Sequence, residues 1–215
     1  MLFTKPTMVD PRVALPGRET PVLRQPCFHR VFGHPVDRVP PGSEVALLAL
    51  GCYWGAEKLF WNTPGVVNTA SGYAGGYTPN PTYEEVCSGR TGHAETVRVV
   101  YDPARLSYED VLRIFFENHD PTQGFRQGND RGTQYRSAIY ALDDGQRRRA
   151  EAVRDAFAPE FAAAGYGPIT TEIEPAGPFY YAEDYHQQYL DANPNGYCPV
   201  HATGVTCDPG SRSGG

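Results

Sequence analysis

The run Glu44-Val-Ala-Leu-Leu-Ala-Leu-Gly51 is short and apolar, the pattern of a strand covered on both faces. Ala56 to Trp61 suits a short amphipathic helix, stopped by the breaker cluster Asn62-Thr63-Pro64-Gly65. Gly65 to Tyr73 is β-rich and ends at Gly75-Gly76, and Tyr77 to Thr82 is a rigid proline turn. Tyr83 to Cys87 predicts a short helix. His93 to Tyr101 alternates with period two, as a half-buried strand does. Ser107-Tyr-Glu-Asp110 can cap a helix over Val111–Phe116 whose apolar residues suit packing on a sheet. Asp120 to Gly132 reads as polar, glycine-rich loop and Tyr135 to Tyr140 as a strand. Gln146 to Ala164 reads as a long helix whose charges form a solvated face. Ile169 to Ile173 predicts a last strand, and Tyr180 to Leu190 a helix before a Gly/Pro-rich tail.

The order β-α-β-β-α-β, with one added helix and strand, predicts an α+β fold: a two-layer sandwich with a mixed β-sheet and a βαββαβ (ferredoxin-like) core. Residues 1–43 hold eight of the 20 prolines, which removes donors and disfavours helix, leaving an extended arm laid over the core. The expected division is an arm over 1–43, a central α+β unit over 44–191 and an irregular, mobile tail over 192–215. Such an architecture by itself dictates no chemistry.

Composition narrows the classes of partner. The 215 residues are 40% hydrophobic, enough for a proper core, and carry a net charge of −6. That balance argues against nucleic acid or an anionic membrane as the main partner. Fourteen tyrosines among 12% aromatics suggest pockets lined by rings with polar tips. No apolar run reaches transmembrane length, and the first ten residues lack the apolar core of a signal peptide, so the expectation is a cytoplasmic protein. There the five cysteines rest mostly as thiols, and any disulfide is transient and catalytic.

Four places could carry chemistry. Cys52 falls where a strand hands over to a helix, close to unpaired backbone N–H groups that favour a thiolate; alternatively it is a buried cysteine acting as a small hydrophobe. Glu95, in Gly92-His93-Ala94-Glu95, is either a surface charge or a buried acid kept protonated for donation. Gly128 to Tyr135 is a polar loop suited to hydrogen-bonding a substrate backbone. Cys198 and Cys207 put two thiols on a flexible tail, where they could attack an oxidised partner cysteine. Cys27 has no partner at a telling spacing. Neither Cys-x-x-Cys nor His-x-x-x-His occurs, so a zinc site has little support.

Gly51-Cys52-Tyr53-Trp54-Gly55 resembles the Gly-Cys-Phe-Trp-Gly signature of class A peptide methionine sulfoxide reductases. Gly72-Tyr73-Ala74-Gly75-Gly76, Pro81-Thr82-Tyr83, Gly92-His93-Ala94-Glu95, Gly128-Asn129-Asp130 and Gly132 to Ser137 are similar to motifs of that family. So are Asp184 to Leu190 and Asn193 to Cys198. The resemblance spans about residues 44–198, and the arm and two tail cysteines resemble the longer, three-cysteine members. It implies reduction of the S-epimer of methionine sulfoxide, free or in proteins, as repair of oxidative damage. By residue, Cys52 matches the nucleophile, Glu95 the acid near the sulfoxide oxygen, and Tyr83 and Tyr135 the tyrosines that hydrogen-bond it. Tyr53 and Trp54 match the pair holding the substrate methyl group, and Asp130 and His186 the contacts to the methionine amide or amine. Cys198 matches the resolving thiol, Cys207 resembles the recycling one, and Cys87 falls where the family has a cysteine of no required role. The implied partner is thioredoxin, acting on a monomer without metal or organic cofactor. Two departures are visible: Tyr53 replaces the usual Phe, placing a hydroxyl in or beside the methyl pocket, and the Cys198-to-Cys207 tail is less glycine-rich.

The chemistry accounts for these residue types. A sulfoxide sulfur is electrophilic, but its oxygen leaves badly unless protonated or strongly hydrogen-bonded, which calls for a thiolate, a protonated acid and tyrosine donors. The sulfenic acid formed on the nucleophile condenses with a nearby thiol, and a dithiol protein can reduce the disulfide. Three other readings compete. A papain-like thiol hydrolase would use Cys52 with His186 and Asn193, but its local signature is missing and the tail cysteines stand idle. A zinc deaminase would use His93-Ala-Glu95, but lacks Pro-Cys-x-x-Cys. A thiol redox sensor would react with peroxide without turning over a sulfoxide.

Overall fold

The computed structural model describes residues 6–197 and 201–207. The apolar run forms β1 (Glu44–Leu50), followed by α1 (Tyr53–Trp61), β2 (Val66–Ala74), α2 (Tyr83–Cys87) and β3 (Ala94–Tyr101). Then come α3 (Tyr108–Glu117), the two-residue strands β4 (Arg126–Gln127) and β5 (Asp130–Arg131), β6 (Ser137–Ala141), α4 (Asp144–Ala163), β7 (Glu172–Pro175), β8 (Tyr180–Tyr181) and α5 (Tyr189–Ala192). The main sheet runs β7-β6-β1-β3-β2-β8. Its inner four strands, β6-β1-β3-β2, are antiparallel neighbours, whereas β7 joins β6 in parallel and makes the sheet mixed. This is the expected α+β arrangement with a βαββαβ core, extended by one strand at each edge.

β1 is covered on both faces, as its unbroken apolar run requires. Ala46, Leu48 and Leu50 face the helix layer, where α1, α3 and α4 contribute Phe60, Leu112, Phe116 and Phe157. Leu47 and Ala49 face the other way, with Ala138 and Tyr140, and Phe179 closes over them. Ser107 and Asp110 form a reciprocal capping box at α3, and Thr82 and Glu85 form another at α2. The arm is fastened at several points. Arg18 pairs with Glu85 at 2.8 Å, and Asn68 Nδ2 donates to the carbonyls of Pro35, Val36 and Arg38.

Three sequence expectations are corrected. The last strand lies at Glu172–Pro175 instead of 169–173, because its parallel register places Ile173 beside Ile139 on β6. The loop over 120–132 contains the β4–β5 hairpin. Tyr180 to Leu190 is not one helix: β8 adds to the edge of β2, a single 3₁₀ turn spans Asp184–His186, and Gln188 is left-handed at φ 47° before the short α5. Hydrogen bonds to distant groups override the local helical pattern here, since Gln187 binds both the N–H and the carbonyl of Ser71.

Candidate active site

The junction between β1 and α1 presents Cys52. Gly51 has φ +93°, and a Cβ there would lie 2.6 Å from Gln127 Cγ, so only glycine permits this turn beside β4. Cys52 is the N-cap residue of α1; its side chain makes no capping hydrogen bond, but the nearby N–H groups of Trp54 and Gly55 favour its thiolate. Their influence does not prevail. Cys52 is only 7% exposed, and burial, reinforced by the negative charge of ionised Glu95, pushes the pKa of its thiol well above the ordinary value. Of the two readings open for Cys52, burial favours the thiol over the thiolate in the resting site.

Glu95 lies on β3, opposite Tyr73 on β2, and is 2% exposed. Its Oε2 accepts the Tyr53 N–H at 3.0 Å, which ties the carboxyl to the residue next to Cys52. Burial raises its pKa to about 8, so at neutral pH it is mostly a neutral acid. Of the two alternatives open for Glu95, the structure selects the buried one. Tyr83, on α2, and Tyr135, in a 3₁₀ turn before β6, share its surroundings. Burial is the main cause raising both phenols, and the charge of Glu95 adds to it in each.

Aromatic rings wall one side. Trp54 stacks on Tyr189 with centroids 4.0 Å apart, and its Nε1 donates to His186 Nδ1 at 3.1 Å. His186 is buried, and burial holds its pKa down at about 4, so the ring is neutral, with its proton on Nε2. Tyr83 lies 4.5 Å from the same ring. Tyr53 is buried, and its hydroxyl meets the Tyr73 hydroxyl at 3.1 Å; Tyr73 in turn donates to Glu183 at 3.3 Å. The extra hydroxyl of Tyr53 is thus engaged with Tyr73, and Glu183 also accepts the Tyr83 N–H at 3.0 Å.

Asp130 sits on the β4–β5 hairpin, where Oδ1 accepts the Tyr197 hydroxyl at 3.2 Å and the buried Oδ2 has no hydrogen-bond partner among the described residues. Burial raises its pKa despite that bond. Cys198 lies outside the described residues. Cys207 is 8% exposed, with its sulfur 3.6 Å from the Ala156 carbonyl of α4, beside Val205 in the helix-layer core. The site therefore gathers Cys52, Tyr53, Trp54, Tyr83, Glu95, Asp130, Tyr135 and His186, while Cys207 packs on α4. The sequence reading missed Glu183, Tyr189 and Tyr197 as individual contributors. Tyr189 and Tyr197 lie within the Asp184–Leu190 and Asn193–Cys198 motifs, but only the fold says which groups they touch. Among the described residues no three His, Cys, Asp or Glu side chains are grouped to hold a metal ion.

Known proteins resemble this chain in sequence and fold. The family model described as peptide methionine sulfoxide reductase matches residues 44–208. The peptide methionine sulfoxide reductase MsrA of Corynebacterium kroppenstedtii is 59% identical over 213 residues, covering 95% of this chain and 97% of that protein. Methionine sulfoxide reductase A of Corynebacterium diphtheriae superposes with a TM-score of 0.85 at 54% identity, covering 94% of this chain and 98% of that one. Reduced Mxr1 from Saccharomyces cerevisiae gives 0.71 at 36%, covering 77% and 95%; Mxr1 in complex with Trx2, at 24% identity and 0.52, covers 76% and 92% and shares the fold. A model match across most of the chain, relatives near 60% identity and a buried cysteine–acid pair at a helix start lead to one assignment: the chain belongs to the class A peptide methionine sulfoxide reductases, oxidoreductases that reduce methionine sulfoxide.

Proposed function

We propose that Cys52 is the nucleophile toward the sulfoxide sulfur and Glu95 the acid toward its oxygen. The observation that carries this reading is the Glu95 carboxyl, largely neutral at pH 7 and bonded to the N–H of Tyr53 beside the Cys52 sulfur. Tyr83 and Tyr135 hydrogen-bond the sulfoxide oxygen. The sulfur of Cys52 bonds to the sulfoxide sulfur as Glu95 protonates the oxygen, and the thiol proton replaces the one that Glu95 gives up. The hydroxyl group then passes to the Cys52 sulfur as the substrate S–O bond and the new S–S bond both break, leaving a thioether and a sulfenic acid on Cys52. The Trp54 and Gly55 N–H groups favour the thiolate as its proton departs.

Tyr53 and Trp54 hold the substrate methyl group, and Asp130 and His186 contact its amide or amine. The unpartnered Oδ2 of Asp130 and the Nε2–H of His186 supply an acceptor and a donor for those contacts. Cys198 attacks the sulfenic acid, forming a disulfide and releasing water. Cys207 then exchanges onto Cys198, which frees the Cys52 thiol, and a thioredoxin dithiol reduces the outer disulfide. A complex with such a protein is known for Mxr1. For Cys207 to serve in this relay, the 192–215 tail must lift its sulfur from α4. The substrate is the S-epimer, free or in proteins, and the role is repair of oxidised methionine by a cytoplasmic monomer that needs no cofactor. Residues 1–43 act as an arm and 44–191 as the catalytic unit. The test is thioredoxin-dependent NADPH oxidation with resolved epimers: the S-epimer sustains it and the R-epimer does not. Equal rates with both would overturn the epimer assignment, and no oxidation with either would overturn the thioredoxin route.

A further inference from the structure

Glu57 is 0% exposed on α1, one turn after Trp54, and no role in the reaction uses it. Its Oε1 accepts from Thr69 Oγ1 at 3.0 Å and Gln188 Nε2 at 2.7 Å, and its Oε2 from Ser71 Oγ at 3.1 Å and the Gln188 N–H at 2.8 Å. The direction of these bonds is fixed from outside. His29 Nδ1 accepts the N–H groups of Val31 and Phe32, so its Nε2 carries the proton and donates to Thr69 Oγ1 at 2.8 Å. Thr69 must then spend its own proton on Glu57. Gln188 Nε2 and N–H can only donate, so at least three of the four contacts require an acceptor. The arm also closes the far side, because Arg30 N–H donates to Gln188 Oε1 at 3.1 Å.

What this network holds is the turn that carries the substrate wall. Gln188 is left-handed at φ 47°, a conformation that a residue with a side chain adopts only when its surroundings enforce it. His186 and Tyr189, on either side of that turn, are the two groups that Trp54 touches by a hydrogen bond and by its closest stacking. We propose that Glu57 is a positioning residue for methionine sulfoxide reduction, clamping Gln188 so that His186 and Tyr189 are seated against Trp54 at the substrate wall. The proposal rests on the reading of Trp54 and His186 as substrate contacts. It also gives the arm a purpose: His29 and Arg30 brace the clamp from behind.

Glu57→Gln keeps the size but turns an amide N–H₂ toward donors. Gln188→Gly keeps the backbone bond to Glu57, tolerates φ 47° and deletes both side-chain bonds. In single-turnover reactions without reductant, each variant should raise the half-saturating sulfoxide concentration by roughly 10- to 100-fold, the worth of a hydrogen bond to a charged group. The maximal rate should fall far less, since Cys52 and Glu95 are untouched. The two losses should not multiply in the double variant, because both break the same clamp. Unchanged half-saturation in Glu57→Gln, equal losses in both parameters, or losses that multiply would each overturn the proposal. If Glu57→Gln does not fold, Gln188→Gly is judged by the same split. Trp54→Ala separates the levels: an unaffected half-saturation there overturns the wall itself, whereas a raised one with an unaffected Glu57→Gln overturns only the clamp.

Discussion

Glu95→Gln should make the protein more stable and the enzyme far slower. Burial lifts the carboxyl from an ordinary 4.5 to about 8, so the fold favours its neutral form. For a group raised in this way, stability is fully present below pH 4.5 and is lost as pH climbs through 8. At about 1.4 kcal/mol per pH unit, the burden reaches roughly 3 kcal/mol by pH 7 and roughly 4 by pH 8. A glutamine at this position is neutral throughout and can still accept the Tyr53 N–H. Glu57 is also raised, to about 7, but it is common to both proteins and cancels in their difference. Thermal melts at pH 5 and pH 8 should therefore give a difference that grows with pH, on the order of 10 °C in favour of the variant at pH 8. Methionine formed in a single turnover should slow by about 10² to 10⁴, the usual worth of a general acid. A pH-independent stability difference would refute the buried neutral acid, and a normal single-turnover rate would remove Glu95 from the chemistry.

Tyr53→Phe removes the hydroxyl that meets Tyr73 and should cost about 1 kcal/mol in urea denaturation. Because that hydroxyl is engaged away from the substrate, the preference for methyl over ethyl sulfoxides should be unchanged; a shifted preference would place it in the pocket. Cys198→Ser should yield about one methionine per enzyme without reductant and accumulate a sulfenic acid trappable by dimedone, as expected when no resolving thiol intercepts it. Cys207→Ser should still work with dithiothreitol but lose much of its thioredoxin-supported turnover; wild-type turnover with thioredoxin would make it a bystander.

Much of the scaffold was legible because its local signals agree with its tertiary needs. The apolar run of β1 and the Ser107–Asp110 capping box each name their own structure, and the alternation over 93–101 names β3 as a strand, although β3 is covered on both faces instead of half-buried because β1, β2 and the layers on either side enclose it. The site residues were legible mainly through motifs, since nothing local in Gly-His-Ala-Glu says that Glu95 is buried. Where the reading failed, distant partners decided. Residues 180–190 carry a helical pattern, yet the edge of β2, Ser71 and Glu57 draw them into a strand, a turn and a left-handed Gln188. Cys52 lies at a helix start, which favours a thiolate, but how deeply its sulfur is buried is a property of the whole fold.

The central claim is that one buried thiol, Cys52, takes the oxidation from the sulfoxide. The direct measurement is a single turnover of Cys198→Ser with the S-epimer and no reductant, followed by dimedone trapping and peptide mass mapping. The account predicts one methionine and one dimedone adduct per protein, with the adduct on Cys52, and neither when Cys52→Ser is added. An adduct on another cysteine, or methionine formed by a protein lacking the Cys52 thiol, would contradict it.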